Sequence, residues 1–366
     1  MPDFVFTSET MFCLLAICAA FAVSLAATPF AGKLAAKCGC FDRPDGARKL
    51  HKVPVPYFGG LAILAGFVCS VVIFSFVMLD TIPQNIAVMV IGGMSICFVG
   101  VIDDMYDMPA LLKLFFQIAV SAFTACFGGA IEYTTILDKT IVLGAFSVPV
   151  TVLWMVLIIN AVNLIDGLDG LASGVSALES FALLVTSLIM GNTVCMIASA
   201  ALCGAVLGFL PFNANRATIF MGDAGSMFIG YVMACISVFG LFKAQALFSI
   251  VVPALIFALP ILDTVLAFFR RIAKGQSPFK ADRSHLHHKL IDSGFTPKQS
   301  VIVIYCASAV FCVASILFMK YKILSGVLVL ADLVLLEIFR HWRWFFGGKE
   351  KPSPQKASAE NAEKSG

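Results

Sequence analysis

Long apolar segments fill most of this chain and constrain its fold more than any other feature. A transmembrane helix needs roughly 20 predominantly apolar residues, and eleven such segments can be read from the sequence. Only 13% of the residues are charged, whereas a soluble domain typically has about 25%. The sequence therefore predicts an all-α polytopic membrane protein with about 11 transmembrane helices. The predicted spans are 10–32, 58–79, 84–102, 110–131, 141–162, 171–190, 193–211, 224–242, 246–269, 299–319 and 322–340.

The distribution of Lys and Arg predicts how these helices cross the membrane. If the N-terminus lies outside, all but four of the 25 Lys and Arg residues fall on the cytoplasmic side, as the positive-inside rule requires. We expect residues 1–345 to form a single integral membrane domain with a cytoplasmic C-terminus, followed by a disordered cytoplasmic tail at 346–366. The net charge of +3 then reflects membrane orientation and does not imply nucleic-acid binding.

A polar run closes the fifth apolar segment and reads NAVNLIDGLDGLASG. Asn160, Asn163, Asp166 and Asp169 recur every three residues, so each consecutive pair can share a helix face. Two glycines interrupt the run, and we expect the helix to end there and to offer amides and then carboxylates to a charged group. Substrate contact is the favoured role for Asn163. For Asn160, the sequence allows either substrate contact or a structural role at the helix end.

Three carboxylates lie close together at the end of the third segment, in VIDDMYD. Asp103 and Asp104 are separated by about 100° around a helix axis, and Asp107 shares a face with Asp103. Carboxylates in a span cost about 2.5 to 3.5 kcal/mol each on insertion scales, and less at its ends. A polar helix cap accounts for one of them, so three together indicate a cation or a basic partner.

The connection between the seventh and eighth segments contains Asp223, between a glycine and an alanine. Asp223 is compatible with an ordinary helix N-cap. It is equally compatible with a helix N-terminus whose free amides bind a phosphate, with the carboxylate holding a cation beside it. Phe220, three residues earlier, is either a membrane-packing residue or a platform for base stacking.

The largest predicted cytoplasmic loop contains His285, His287 and His288 among seven Lys and Arg residues. Phosphate recognition fits this loop better than a zinc site, for which Asp282 is the one acid at ligand spacing. Asp263 lies in the ninth segment, about 10 Å below its cytoplasmic end. A lone acid at that depth is expected to face the bundle interior and to find a partner.

All of these polar motifs fall on one predicted face of the membrane. Carboxylates beside basic loops suit a magnesium-dependent phosphoryl transfer, because the metal neutralises phosphate charge and Lys, Arg and His hold the remaining oxygens. At a bilayer surface, we expect one substrate to be a lipid phosphate and the other a cytosolic nucleotide derivative. The competing class is an ion-coupled transporter, whose acids typically lie near the bilayer midplane on broken helices.

Four segments in this order, VIDDMYD, NAVNLIDGLDGLASG, FMGDAGS and SPFKADRSHLHHKL, resemble the signature loops of the polyprenyl-phosphate N-acetylhexosamine-1-phosphate transferases, glycosyltransferase family 4. The resemblance implies transfer of GlcNAc-1-phosphate from UDP-GlcNAc to undecaprenyl phosphate, with release of UMP. It implies Mg²⁺, or Mn²⁺ in its place, and a multi-pass enzyme of the bacterial cytoplasmic (inner) membrane whose active site faces the cytoplasm. It also suggests a homodimer.

The histidine spacing H-x-H-H is similar to that of the enzymes that initiate teichoic acid, O-antigen or a related cell-envelope polysaccharide. The phospho-MurNAc-pentapeptide translocase of peptidoglycan synthesis has three consecutive histidines, and Leu286 departs from that pattern. UDP-GlcNAc is therefore the expected donor.

The resemblance also implies roles for individual residues. Asp103 and Asp104 would lie at the polyprenyl phosphate, where one could deprotonate it, and with Asp166 they are the candidate catalytic residues. Asp223 would be the first magnesium ligand and Asp169 the second. The candidate substrate-binding residues are Asn163, Phe220, His285, His287, His288, Lys113 and Asp263.

Overall fold

The computed structural model describes residues 8–42, 54–136, 139–214, 216–241, 248–275 and 285–341. These residues are mostly helical and form an all-α polytopic membrane protein. The helices are α1 (Ser8–Cys38), α2 (Gly59–Leu79), α3 (Gln84–Tyr106), α4 (Ala110–Phe127), α5 (Ser147–Ile165), α6 (Leu171–Met190), α7 (Thr193–Asn213), α8 (Gly222–Ile236), α9 (Phe248–Ile256), α10 (Ala258–Ala273), α11 (Leu286–Asp292), α12 (Pro297–Phe318) and α13 (Lys322–Arg340).

Within the described ranges, nine helices are long and apolar enough to cross a membrane. The ninth predicted span, 246–269, is divided at Phe257 into the two shorter helices α9 and α10. The last helix, α13, has the length to span but carries Asp332 and Glu337 besides its terminal Lys and Arg. The total of about 11 spans and the orientation with the N-terminus outside stay predictions. The predicted tail at 346–366 and the basic cluster at 48–52 lie outside the described residues.

Two short antiparallel ribbons join some of the described helices. In the first, β1 (Phe41–Asp42) pairs with β2 (Val55–Pro56). In the second, β3 (Tyr133–Ile136) pairs with β4 (Lys139–Val142). The chain continues from β2 into α2 alongside the connection between α7 and α8, because Phe220 donates its N–H to the Pro56 carbonyl (2.9 Å) and accepts from Gly59 N–H (3.0 Å). Residues 56–60 are thereby fixed to the segment that precedes Asp223.

Helix α8 lies in the centre of the bundle and packs against α2, α3 and α5. Two glycines permit its first turn to approach these neighbours closely. A Cβ atom on Gly60 of α2 would lie 2.2 Å from the Gly225 nitrogen, and one on Gly100 of α3 would lie 2.4 Å from the Ala224 Cα. The close approach brings the ends of three helices, and the polar residues that follow them, to one place.

A second group of helices packs beside this centre. Helix α7 contacts α1, α2 and α6, and α6 in turn contacts α12. Large apolar side chains on the outward faces of α4 and α13, such as Phe115 and Leu330, are more than 60% exposed. Such faces suit contact with lipid.

Candidate active site

Asp103 and Lys113 form an ion pair at the turn between α3 and α4. Helix α3 ends at Tyr106, and Asp107 adopts the left-handed conformation with φ 52°. Asp103, six percent exposed, accepts the Met108 N–H at Oδ1 (2.7 Å), which holds this turn closed. Its other oxygen, Oδ2, contacts the Lys113 ammonium. Both oxygens of Asp103 therefore have a partner.

Asp104 caps the N-terminus of α8. Its Oδ1 accepts the Asp223 N–H at 2.7 Å and its Oδ2 accepts the Ala224 N–H at 3.3 Å. A negative charge at a helix N-terminus is stabilised by the helix dipole and by the amides that have no partner within the helix. The alternative in which these two amides bind a phosphate is wrong, because the Asp104 carboxylate already occupies them.

The carboxylate of Asp223 contacts side chains from two other helices of the site. Its Oδ2 accepts a hydrogen bond from Lys113 Nζ (2.9 Å), and its Oδ1 accepts one from Asn163 Nδ2 (2.9 Å). Asn163 Nδ2 also lies 2.9 Å from Ser226 Oγ, one turn into α8. The Asp223 side chain is 28% exposed whereas that of Asp103 is 5% exposed, so Asp223 is the more accessible of the two carboxylates that share Lys113.

The run that begins at Asn160 does end its helix at the glycines, as predicted. Helix α5 stops at Ile165 and α6 starts at Leu171, with Gly170 in the left-handed region at φ 77°. Asp169 Oδ2 accepts the Ala217 N–H at 3.0 Å. Asn160 binds Gln117 Oε1 at 2.6 Å and its own helix at Val156 O, which favours the architectural role for this residue.

Asp166 is half-buried at the C-terminal cap of α5, and among the described residues its carboxyl has no hydrogen-bond donor. Burial raises the pKa of Asp166 to about 7, and the charges of Asp223 and Asp169 add to the effect. Asp223 and Asp169 are thus near enough to Asp166 for their charges to act on it. A positive group brought to this cluster would favour the ionised form of Asp166.

Two residues that the sequence reasoning missed hold the Asp166–Gly170 loop in place. Asn213, at the end of α7, accepts the Gly170 N–H at Oδ1 (3.1 Å). Tyr305 of α12 donates its hydroxyl to the Gly170 carbonyl at 2.5 Å. The ring of Tyr305 fits there because Gly174 has no side chain, and a Cβ on Gly174 would lie 2.0 Å from the Tyr305 hydroxyl. Neither contact joins residues near in sequence, so no local pattern indicates them.

We expect Tyr305→Phe to lower kcat about 10- to 100-fold, the cost typical of removing an outer-shell partner. The ring remains packed on Gly174, but the Gly170 carbonyl loses its hydrogen bond and the neighbouring Asp169 is less firmly positioned. The transfer rate of the purified protein, measured with the substrates that the family resemblance implies, checks this expectation. Tyr321→Phe, which alters a half-exposed tyrosine beyond α12, is the matched control. Equal rates for the two variants would show that the Tyr305 hydroxyl does not position the loop.

In the structure, the partner of Asp263 is His285. Asp263 Oδ2 lies 2.9 Å from His285 Nδ1, and Asp263 Oδ1 accepts the Leu286 N–H that begins α11 (2.9 Å). The expectation that this deep acid faces inward and finds a partner is confirmed. Because both carboxylate oxygens are bonded to the histidine loop, Asp263 anchors that loop in the structure. Substrate contact by Asp263 or His285 stays a prediction.

His287 links the histidine loop to the Asp166–Gly170 loop. A Cβ on Gly167 would lie 2.6 Å from His287 Nε2, so the ring lies directly against the Gly167 backbone. The rings of His285 and His287 are stacked with centroids 6.0 Å apart, and His288 lies 4.2 Å from His287. The three histidines therefore form one group beside the acidic cluster.

His287 should make the protein less stable at acid pH. Burial lowers its pKa from 6.5 to about 4; the charges of His288 and His285 act in the same direction and that of Asp263 acts in the opposite direction. Between pH 6.5 and 4 the unfolded chain binds a proton that the folded site excludes, so the free energy of unfolding falls as pH falls. At 1.36 kcal/mol per pKa unit, His287 lowers the free energy of unfolding by about 3 kcal/mol near pH 4.

Thermal unfolding in detergent at pH 7.5, 5.5 and 4.5 checks this expectation. His287→Gln should show a smaller fall in midpoint over this range than the parent protein. His341→Gln, at an exposed histidine, should keep the parent's full pH dependence. A His287→Gln variant that loses stability as steeply as the parent would show that His287 is not the cause.

Phe220 lies beside Tyr57, with ring centroids 6.1 Å apart and planes tilted by 46°. Both residues belong to segments already joined by backbone hydrogen bonds, at the edge of the acidic cluster. The structure thus places Phe220 next to the site, and its contact with a nucleotide stays a prediction.

The donor atoms of this cluster suit magnesium. Mg²⁺ prefers oxygen ligands and typically takes one or two carboxylates together with water and substrate phosphates. In the part of the chain that the structure describes, no three His, Cys, Asp or Glu side chains stand close enough to hold a metal by themselves. The residues present fit an ion held by Asp223, with Asp169 and Asp166 nearby, and completed by phosphate oxygens.

Comparison with known proteins agrees with this geometry. The sequence model of glycosyl transferase family 4 matches residues 86–241, which include the acidic cluster. A relative from Bacillus subtilis (strain 168), named probable undecaprenyl-phosphate N-acetylglucosaminyl 1-phosphate transferase, is 36% identical over 346 residues. That alignment covers 93% of this chain and 95% of the relative. The chain belongs to glycosyl transferase family 4.

Other members of the family are similar over most of their length. The decaprenyl-phosphate N-acetylglucosaminephosphotransferase of Mycolicibacterium smegmatis is 36% identical over 310 residues, covering 76% of this chain and 75% of the relative. The undecaprenyl-phosphate alpha-N-acetylglucosaminyl 1-phosphate transferase of Escherichia coli (strain K12) is 33% identical over 298 residues, covering 79% of each. The family resemblance drawn from the four motifs is confirmed.

Proposed function

We propose that this protein transfers GlcNAc-1-phosphate from UDP-GlcNAc to undecaprenyl phosphate and thereby initiates a cell-envelope polysaccharide. The observation that carries the proposal is the cluster in which Lys113 joins Asp103 to Asp223 at the ends of apolar helices. The names of the relatives support the same reaction, because each name combines a polyprenyl phosphate with N-acetylglucosamine.

The reaction exchanges one diphosphate linkage for another. A phosphate oxygen of the lipid attacks the phosphorus that carries the sugar, and a new P–O bond forms. The bond from that phosphorus to the UMP oxygen breaks, and UMP leaves with the electron pair. The number of diphosphate linkages does not change, so the reaction should be freely reversible without another energy source.

Positioning and charge stabilisation are the main requirements of such a transfer. Lys113 lies where it can meet phosphate oxygens, and Asn163 orients Asp223. A bound Mg²⁺ would neutralise charge on the diphosphate. Asp104 holds the first turn of α8, and hence Asp223, in place. The histidine loop and Phe220 would contact the donor at the edge of the cluster.

We favour direct attack by the lipid phosphate over an aspartyl-phosphate intermediate. Each oxygen of Asp103 and Asp104 has a hydrogen-bond or ion-pair partner, which makes these carboxylates poor nucleophiles. The second pKa of a phosphate monoester is about 6, so the acceptor is largely dianionic at pH 7. The attacking oxygen therefore needs little help from a base, and Asp103 and Asp104 act mainly by positioning.

A donor comparison tests the proposal. Purified protein with undecaprenyl phosphate and Mg²⁺ is incubated with labelled UDP-GlcNAc and, separately, with labelled UDP-MurNAc-pentapeptide. We expect lipid-linked label and UMP from UDP-GlcNAc, and reversal when excess UMP is added. Label from the pentapeptide donor alone would indicate the translocase of peptidoglycan synthesis. Failure with both donors, together with ion uptake into proteoliposomes, would indicate a transporter.

The proposed orientation places the active site at the cytoplasmic face of the bacterial inner membrane. A reporter fused to the C-terminus should be accessible only from the cytoplasm, since α13 ends in basic residues at that end. A reporter detected outside would reverse the orientation and remove the proposed access to a cytosolic nucleotide. The homodimer stays a prediction from the family resemblance.

A further inference from the structure

Gln117 is a buried amide of α4 that the proposed chemistry does not use. Its side chain is 2% exposed. It follows Lys113 by four residues, so the two side chains lie on the same face of α4. Burying an amide costs free energy unless its polar atoms are hydrogen-bonded. The partners of Gln117 therefore indicate its role.

The Gln117 amide is bonded on both sides. Its Oε1 accepts from Asn160 Nδ2 of α5 at 2.6 Å, and its Nε2 donates to Met227 Sδ of α8 at 3.5 Å. Asn160 Nδ2 also donates to the Val156 carbonyl at 2.8 Å. A carbonyl can only accept, so this bond fixes the orientation of the Asn160 amide and, through it, that of Gln117. One side chain of α4 thereby connects α5 to α8.

The same three helices carry the groups that meet at Asp223. Lys113 lies on α4, Asn163 on α5 and Asp223 on α8. The partners of Gln117 follow the same order, four residues later on α4 and α8 and three residues earlier on α5. Steps of three or four residues correspond to about 4.5 to 6 Å along a helix, or one turn. The contacts therefore form two layers, one turn apart.

Each layer takes one side chain from each of the three helices. The carboxylate layer consists of Lys113, Asn163 and Asp223. The amide layer consists of Gln117, Asn160 and Met227.

The carboxylate layer depends closely on how the three helices are spaced. Lys113 and Asn163 bind different oxygens of Asp223, each at 2.9 Å. A shift of α4 or α5 by about 1 Å away from α8 would take one of these contacts out of hydrogen-bond range. Misplacement by about 1 Å can cost about 100-fold in rate. A contact that holds the spacing one turn away therefore matters for the reaction.

We propose that Gln117 is a positioning residue for the phosphoryl transfer, and that the amide layer fixes the separation of α4, α5 and α8 at which the carboxylate layer forms. This inference rests on the proposed function, because it assigns Gln117 a part in that reaction. In this role Gln117 touches no reacting atom and acts through Lys113 and Asn163.

Gln117→Met tests the proposal, because methionine keeps most of the length of the side chain and removes the amide. We expect kcat for UMP release to fall about 10-fold, as for loss of an outer-shell partner. The KM for UDP-GlcNAc should stay near its original value, because the groups proposed to bind the donor remain.

Thr124→Val is the matched control. Thr124 is a buried residue of α4 two turns beyond Gln117, and its hydroxyl lies 2.7 Å from the Tyr231 hydroxyl of α8. Both substitutions remove a buried contact between α4 and α8, and both should lower the thermal midpoint. Thr124→Val should nevertheless keep kcat near its original value. If kcat fell equally in both variants or in neither, Gln117 would serve stability alone and the proposal would be overturned.

Asn160→Leu removes the other half of the amide contact at similar side-chain volume. Because Gln117 and Asn160 act through one contact, the double variant should lose no more activity than the more affected single variant. Losses that multiply would mean that the two residues act separately and would contradict the proposal. If Gln117→Met does not fold, Asn160→Leu takes its place in the comparison with Thr124→Val.

Acylation of Lys113 by an N-hydroxysuccinimide ester reports on the carboxylate layer without any substrate. The reagent attacks the neutral amine, so an ammonium held by Asp103 and Asp223 reacts slowly. In the full-length protein in detergent, Gln117→Met should raise the rate at Lys113 several-fold, measured by mass spectrometry. The exposed Lys37 is the internal reference, and Thr124→Val should leave both rates unchanged.

This second measurement separates the two proposals. An unchanged rate at Lys113 in Gln117→Met would overturn the positioning role. If the unmodified protein released no UMP from UDP-GlcNAc while Lys113 still responded to Gln117→Met, the proposed function would be rejected and the coupling between the two layers would be supported.

Discussion

Asp223→Asn is expected to lower the rate of UMP release by about 10³-fold, at the upper end of the loss seen when one group that stabilises transition-state charge is removed. Asparagine preserves the size of the side chain but not its negative charge. Asp223 receives Lys113 on one oxygen and Asn163 on the other, and it is the first candidate for the metal. One substitution thus removes the negative charge that contacts Lys113 and Asn163 and that would bind the proposed metal ion.

The measurement is UMP release from UDP-GlcNAc and undecaprenyl phosphate over a range of Mg²⁺ concentrations. Asp332→Asn is the matched control, because Asp332 is also a buried carboxylate but lies in α13, away from the cluster. It should retain near-normal activity. If Asp223→Asn also turned over at a near-normal rate, Asp223 would have no place in the metal site.

Lys113→Met is expected to lower kcat about 100-fold, at the upper end of the effect of removing an outer-shell partner. Methionine keeps most of the apolar stem but removes the ammonium that joins Asp103 to Asp223. The same change should lower the Mg²⁺ concentration needed for half-maximal rate, because Lys113 no longer competes for Asp223. A lower kcat with a lower magnesium requirement would distinguish loss of this ion pair from general damage.

Lys37→Met, at an exposed lysine in the last turn of α1, is the control for loss of one positive charge. It should leave both kcat and the magnesium requirement near their original values. A Lys113 variant with unchanged kcat would mean that the ammonium serves only to hold α3 against α4. An increased magnesium requirement would instead indicate that Lys113 helps to build the metal site.

Hydropathy predicted most of the helices because it reports directly on transfer from water to lipid. The predicted span 171–190 coincides with α6, and 322–340 coincides with α13. The break at Phe257 was not predicted, since both sides of it are apolar. Pro260 has no N–H to donate to the carbonyl of Ile256, four residues earlier, and this favours a new helix at Ala258. The short α11 also escaped prediction, because seven residues give little periodic signal.

The acidic residues of the site were predicted because carboxylates are costly in apolar segments and so stand out. Their arrangement was not predicted. The bond from Asp104 to the Asp223 amide spans 119 residues of sequence, and that from Tyr305 to Gly170 spans 135. Neither a tyrosine in an apolar helix nor an asparagine such as Asn213 at a helix end gives a distinctive signal. These contacts depend on which helices pack together, which local sequence does not determine.

The glycines that admit the first turn of α8 also indicate where the protein can be engineered for stability. Replacing glycine by alanine commonly stabilises a protein by about 0.4–1 kcal/mol when the backbone and the space allow it. At Gly60 and Gly100 the added methyl would strike the backbone that carries Asp223. Gly326 in α13 has no atom within 4 Å of the added methyl. Thermostabilising substitutions should therefore begin at the outer helices and leave the contacts around α8 untouched.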